Sequence, residues 1–470
     1  MKTKIIATLG PACSSPDVLH RLIQAGARIL RLNFSHGDAA DFVDIINSIR
    51  DLETKFGFPI TILQDLAGPK IRIGVLDEGT LQFKKGDKAL LGPKRPQTGG
   101  NVPYIPFDKR EVLDGLEEGD HLVLADGTLQ FVVTERAPGG FMIQAENNGI
   151  VTSRKGLALP GKSVRLPALT DVDKKNLRDG LELGVDAVAL SYVQTPEDIL
   201  EAREIITASG RNIPICAKLE RQNAVDRLDD ILKVADVIMV ARGDLGIECP
   251  LPALPAMQKR IIAACNAANT PVIVATQMLL SMVNNPAPTR AETTDVANAV
   301  LDGADCVMLS EETAMGNFPV ETVAFMGRIA EEAETLLAEK TRFDSAMLRA
   351  EDTPDFLSFC ACLMAEKVNA EGIVAHSMSG GAARSLSAQR PRQQIFALTP
   401  DRTVLRHLNF SWGVSPNLAD EEISGHLQRA EAFIETSPRF PQGADIIITA
   451  GQTKKGVPSF GTNLVKIYRK

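Results

Sequence analysis

The sequence predicts an α/β protein: a (β/α)8 TIM barrel with a small β-barrel lid domain inserted into it and a C-terminal α/β domain after it. Three observations carry this. Eight short apolar, β-branched runs recur over the first two thirds of the chain, with helical periodicity between them. The spacing fails once, between Asp65 and Asp186, where short alternating runs are broken by Gly and Pro. Beyond about residue 342 a second alternation of strand-like and helical stretches begins. Strands buried on both faces read as continuous apolar runs, and alternation with helices implies parallel pairing.

The eight runs are TKIIATLG (3–10), ARILRLN (27–33), PITILQD (59–65), DAVALS (186–191), IPICAKLE (213–220), DVIMVARGD (236–244), PVIVAT (271–276) and DCVMLSEE (305–312). Stretches such as SPDVLHRLIQAG supply the helices, and eight such units make a barrel. A doubly wound open sheet would use the same alternation. No G-x-G-x-x-G or G-x-x-x-x-G-K-[ST] follows any of the strands, which removes that class's usual nucleotide fingerprints. The barrel is expected over 1–69 and 170–341. The insertion, 70–169, contains GTLQFKKGDKALL, GDHLVLADGTLQFVVTE and GGFMIQAENNGIV, and leaves the barrel at the rim where a lid would attach. A long charged helix, VETVAFMGRIAEEAETLLAEK, leads to the third domain, 342–470, with strands in IVAHSMSGGAAR, QQIFALTP, ADIIITAGQ and NLVKIYRK.

Bulk properties narrow the function. The chain has 470 residues, enough for about three domains. A net charge of −8 argues against a nucleic-acid surface spread over the whole protein, though not against a local anion site. No apolar run reaches membrane-spanning length, and the N-terminus lacks a signal-peptide pattern, so no membrane partner is expected. Seven scattered cysteines without a C-x-x-C fit free thiols in a reducing cytoplasm, and the C-x-C at Cys360 and Cys362 reads as helix packing.

The polar residues cluster at strand ends. In barrels of this kind the active site lies at the carboxyl ends of the strands. Those ends carry Arg31 and Asn33, Asp65, Ser191, Lys218 and Glu220, Asp244, Thr276, then Ser310 and Glu311. Single cases such as Ser191 or Thr276 could merely mark where strands meet solvent. Lys218 and Glu220 are different: two positions apart on one strand, they share a face. Glu220 and Asp244 end neighbouring strands and would repel without a cation between them. Hard oxygen ligands with open positions suit Mg2+ or Mn2+. A plain Lys218–Glu220 ion pair inside the barrel would leave Asp244 unexplained. Arg31, Arg72 and Lys218 add positive charge, so an anion with phosphate character is the natural guest. Gly243 lets backbone approach a ligand closely, and the short helix after it could present N–H groups.

The segments ATLGPAC, RLNFSHG, QDLAGPKIRIG, KGLALPG, AKLERQNAV, VARGDLGIE, VIVATQML and PTRAETTDVANAVLDGADCVMLSEETAMGNFPVETV, in this order over about residues 1–340, strongly resemble the pyruvate kinase family. The C-terminal region resembles it more loosely. The resemblance implies phosphoryl transfer from phosphoenolpyruvate to ADP, giving pyruvate and ATP in the last step of glycolysis. By position, Lys218 would face the transferring phosphoryl group. Glu220 and Asp244 would hold the divalent metal, Arg31 would pair with phosphoryl oxygens, and Gly243 and Thr276 would line the phosphoenolpyruvate site. Asn33, Ser35, His36, Arg72 and Lys155 would serve the nucleotide, with which a second Mg2+ arrives. Thr276 and Ser310, with ordered water, are the expected relay for protonating the enolate. The family also implies a homotetramer.

Departures from the family pattern shape further expectations. Many relatives bind K+ through positions equivalent to Asn33, Ser35, Asp65 and a Thr; here the Thr position is Leu66, and a usual Glu is Lys70. The Lys70 ammonium is expected to replace the ion and K+ not to be required. Ala224 stands where Gly is commoner, with little effect expected. In HSMSGGAAR (376–384), Gly381 and Ala382 replace a basic residue and a hydroxyl, which weakens a sugar-phosphate site. Lys454 and Lys455 in the closing loop leave room for some phosphorylated allosteric effector. Two rivals remain: a metal-dependent barrel lyase acting on pyruvate enolates, which has no need of the insertion, and a non-catalytic metabolite-sensing relative, which would not need Lys218, Glu220, Asp244 and Arg31 together.

Overall fold

The computed structural model describes residues 1–94, 102–125, 127–162, 165–339, 353–451 and 462–470. All eight apolar runs form strands, at Lys4–Thr8, Ala27–Asn33, Thr61–Asp65, Ala187–Leu190, Ile215–Leu219, Val237–Ala241, Val272–Ala275 and Cys306–Leu309. They pair in sequence order into a closed parallel barrel, the first strand joining the eighth through Lys4 opposite Cys306. The open-sheet alternative is thereby excluded. Isoleucine, leucine and valine on the outer faces pack against the surrounding helices, and a second cluster fills the interior. The helices begin and end where local chemistry dictates. Thr170 and Thr289 cap their helices with boxes closed by Asp173 and Glu292, satisfying N–H groups that a helix start leaves orphaned.

The barrel floor is stapled by a repeated device. Asp186, Asp236 and Asp305 each sit one residue before a strand. Each carboxylate accepts the N–H of the preceding strand, from Ile62 at 2.8 Å, Ile215 at 2.8 Å and Val272 at 3.0 Å. Arginines neutralise all three: Arg50 and Arg406 at Asp186, Arg203 at Asp236, and Arg390 at Asp305. Arg390 and Arg406 belong to the C-terminal region. That region also inserts Phe410, fully buried, into the interior cluster of the barrel.

The insertion forms a six-stranded sheet and a two-stranded ribbon around one apolar core. The chain reaches it through Gly68, whose φ of 67° and close approach to Ser191 leave no room for a side chain. The C-terminal sheet has the order Val414–Leu418, Gln394–Thr399, Gly372–His376, Asp445–Ala450, Leu464–Arg469, the last strand antiparallel. The expected long helix runs Pro319–Glu339. Among the described residues no helix is long and apolar enough to cross a membrane.

Candidate active site at the carboxyl mouth of the barrel

Lys218 is the penultimate residue of the fifth strand, and Glu220 follows that strand's end, so period two sends both to one side. The Lys218 ammonium lies 3.0 Å from Glu220 Oε1 and 3.2 Å from Asp65 Oδ1, and donates to Ser191 Oγ at 2.6 Å. The ion pair set aside at the sequence level is therefore formed, within a larger cluster. A buried ammonium needs partners, and three oxygens supply them. Asp65 in turn accepts from Arg31 Nε at 2.5 Å, while Arg31 Nη1 donates to Thr8 Oγ1 at 3.0 Å. Strand register explains the meeting: Asp65 pairs with Asn33 and Ala189, its neighbours' residues at the same height.

Electrostatics follow from this crowding. Burial pulls Lys218 toward neutrality, but Asp65 and Glu220 outweigh it and raise its pKa. Burial would lift Asp65, yet Arg31 and Lys218 hold its carboxyl below the usual range. Glu220 goes the other way. Burial is the largest cause, the Asp244 charge adds to it, Lys218 opposes, and the carboxyl is pushed up to about 7. An acid held toward its protonated form beside a second carboxylate marks a place where a cation would be stabilised. Among the described residues no group of three or more His, Cys, Asp or Glu side chains could hold a metal. Two carboxylates are nonetheless what Mg2+ takes when substrate phosphate and water complete its shell, so the residues fit that ion.

Residues 1–323 match the family described as pyruvate kinase, barrel domain, and residues 355–468 match pyruvate kinase, alpha/beta domain. A protein named pyruvate kinase 2 from Synechocystis is 41% identical, covering 99% of this chain and 79% of that relative. A pyruvate kinase from Agrobacterium vitis is 44% identical over 96% of this chain and 93% of its own length. One from Clostridium acetobutylicum is 36% identical over 99% of both. The chain belongs to the pyruvate kinase family.

The remaining sequence-predicted residues of this pyruvate kinase family member fall into three groups. Asp244 lies in the first turn of the helix Arg242–Glu248 and lines a cleft between barrel and insertion with Lys70, Arg72, Tyr192 and Arg221. The Gly243 N–H is engaged within the protein. It donates to Thr276 Oγ1 at 2.8 Å, and that hydroxyl donates to the Ala275 carbonyl at 2.6 Å. Ser310 follows the neighbouring strand and precedes the short helix Glu311–Ala314, and no hydrogen bond joins it to Thr276 among the described residues. Glu311 points to solvent, and it is Glu312 that turns inward.

Asn33, Ser35 and His36 form a turn after the second strand, closed by Ser35 N–H donating to Asn33 Oδ1 and His36 N–H to the Asn33 carbonyl. They lie outside the lining of the cleft that Arg72 and Asp244 share. Arg72 donates to the Arg154 carbonyl and bridges Gly156, next to Lys155. The Leu66 side chain is buried in the apolar core and offers no ligand oxygen; Lys70 is exposed on the cleft. Ala224 is fully buried in the short helix Gln222–Asp226.

In the C-terminal region the helix Gly381–Ala388, which carries Gly381 and Ala382, follows Gly380 with φ 79°. His376 stacks on His426 with ring centroids 4.2 Å apart. Lys454 and Lys455 lie outside the described residues. All seven cysteines are free thiols, Cys360 and Cys362 within the helix Thr353–Lys367.

Sequence reasoning missed Tyr192, Arg221 and Glu248. Tyr192 takes a φ of 57°, and its N–H donates to Glu220 Oε2 at 2.7 Å. Arg221 stacks over the Tyr192 ring at 5.3 Å and lies 3.7 Å from Glu248. Each of the first two adjoins a residue already singled out. The available signal was that adjacency, one step past the strand ends.

Proposed function

We propose that this chain transfers the phosphoryl group of phosphoenolpyruvate to ADP, giving pyruvate and ATP. The observation carrying the reading is the Lys218 ammonium bracketed by Asp65, Glu220 and Ser191 at the barrel mouth, with Arg31 beside it and Asp244 near Glu220. Phosphoryl transfer needs alignment and charge neutralisation more than a protein nucleophile, and this cluster offers both. Lys218 and Arg31 are assigned to the phosphoryl oxygens. Glu220 and Asp244 are assigned to Mg2+ or Mn2+, which when bound would neutralise phosphate and carboxylate oxygens of the substrate. Tyr192 N–H and Lys218 fix the Glu220 carboxylate from either side. Gly243 and Thr276 line the substrate's place. Arg72 and Lys155, from the insertion, reach the nucleotide, with Asn33, Ser35 and His36 assigned to it by the family resemblance alone. Thr276 and Ser310, lacking a direct hydrogen bond, would relay a proton to the enolate only through water.

The division assigned is 1–69 with 170–341, 70–169, and 342–470; separate apolar clusters in the barrel, the insertion and the C-terminal region support it, while Leu169 packs with the barrel, and the last boundary lies outside the described residues. A cytoplasmic homotetramer is the state assigned, with any phosphorylated effector bound in the C-terminal region. A coupled assay with phosphoenolpyruvate and ADP, with and without Mg2+, tests the reading: metal-dependent pyruvate release is expected. Metal-dependent cleavage of an enolate-derived substrate without ADP would favour a lyase, and no turnover a sensing relative. Because the Leu66 side chain offers no ligand oxygen and Lys70 brings an ammonium to the cleft, full activity is expected in tetramethylammonium buffer without K+, and a strict K+ requirement would remove that idea.

A further inference from the structure

Thr276 and Gln277 are consecutive non-glycine residues with φ of 73° and 52°. Left-handed backbone at a β-branched residue is a true outlier, and it persists only where the surroundings over-determine it. Two charged groups do so here. Arg242 donates through Nη2 to the Thr276 carbonyl at 2.7 Å and through Nε to the Ala275 carbonyl at 3.3 Å, and Asp295 orients its other arm at 2.8 Å. On the far side of the turn Glu312, 1% exposed, accepts the Leu279 N–H at 3.1 Å and the Ser310 N–H at 2.7 Å. Between these anchors the Thr276 hydroxyl is pinned by the Ala275 carbonyl and the Gly243 N–H, one residue from Asp244.

We propose that Arg242 and Glu312 are positioning residues for the phosphoryl-transfer reaction, clamping a strained turn so that the Thr276 hydroxyl stands at a fixed point beside the substrate. Glycine would adopt this backbone without strain. The chain instead carries a hydroxyl-bearing residue there and holds it from both sides. The inference rests on the phosphotransferase reading. It adds that the strain serves the hydroxyl, so that disturbing either anchor acts chiefly through Thr276, Glu312 also holding the Ser310 N–H.

The test is a set of mutant cycles read by the coupled assay. Arg242→Lys keeps the charge but loses the fork that reaches two carbonyls. Glu312→Gln keeps the shape but leaves one carboxamide oxygen to accept from two N–H groups. Each is expected to lower kcat on the order of 100-fold with KM for phosphoenolpyruvate changed by less than about threefold, as misplacement by an ångström does. In a Thr276→Val background each is expected to cost less than about threefold, because the residue through which it acts is already disabled. Gln277→Gly relieves the share of the strain carried by residue 277 and should restore part of the activity of Arg242→Lys. Equal losses with and without the Thr276 hydroxyl, together with no rescue by Gln277→Gly, would overturn the clamp. Amide exchange at Gly243 separates this from a failure of the functional reading, since it needs no turnover. It should rise about tenfold or more in Arg242→Lys, and unchanged exchange would overturn the clamp even in an enzyme without the proposed activity.

Discussion

At Lys218 two opposing forces act on one proton. Desolvation favours the neutral amine, and two carboxylates within 3.2 Å favour the ammonium; the carboxylates win. A charged donor held in a dry mouth is worth far more to a developing phosphoryl charge than one in water. Lys218→Met is therefore expected to lower kcat by about 10²–10³-fold, measured in the coupled assay, with far-UV dichroism retained. His376 supplies a different prediction, one about pH. Burial first, then His426 and Arg429, depress its pKa to about 4. An unfolded histidine titrates near 6.5. Between those values the unfolded chain binds the extra proton, so stability contributed by neutral His376 falls as pH drops from about 6.5 toward 4 and levels off below. The loss reaches about 3 kcal/mol at most. Denaturant midpoints of wild type and His376→Phe across that range should diverge, the variant showing the flatter slope. Period-two alternation made the shared face of Lys218 and Glu220 legible in the sequence. The link from Asp65 to both Lys218 and Arg31 was not, because it depends on the register of three strands that pattern alone leaves free.

At the scale of elements, the eight barrel strands were readable because a strand buried on both faces has nowhere to place a polar side chain until it ends. The aspartates that open DAVALS, DVIMVARGD and DCVMLSEE were in view as well, although their stapling of the preceding strand emerges only with the register. The strand Val414–Leu418 escaped notice. It lies at the edge of its sheet, contains Pro416, and is half-buried over most of its length, so it lacks the apolar run that marks a central strand. Phe410 is illegible for another reason. Its short 3-10 turn, Leu408–Phe410, gives no hint that the ring enters a different domain's barrel, where Cys306 Sγ donates to its carbonyl at 3.3 Å. Filling that floor should matter to the barrel as much as any core residue. Phe410→Ala is expected to destabilise it by about 3–5 kcal/mol, read as a lowered denaturant midpoint of barrel unfolding. An unchanged midpoint would show that the ring is dispensable.

For the whole molecule, the three parts take up separable tasks. The barrel gathers charged strand ends at one mouth, the insertion brings Arg72 to a cleft over that mouth, and the C-terminal region closes the opposite end with Phe410, Arg390 and Arg406. That division was visible in the change from continuous apolar runs to alternating ones and back. Which surfaces touch was not, since contacts between domains follow from shape. The account as a whole depends on Glu220 and Asp244 sharing one divalent ion next to Lys218. Mn2+ binding followed by electron paramagnetic resonance tests this most directly, comparing wild type with Glu220→Gln and Asp244→Asn. One bound ion per chain in the wild type, weakened about tenfold or more in each variant, is the predicted result; Mn2+ held equally well by all three proteins would contradict the account.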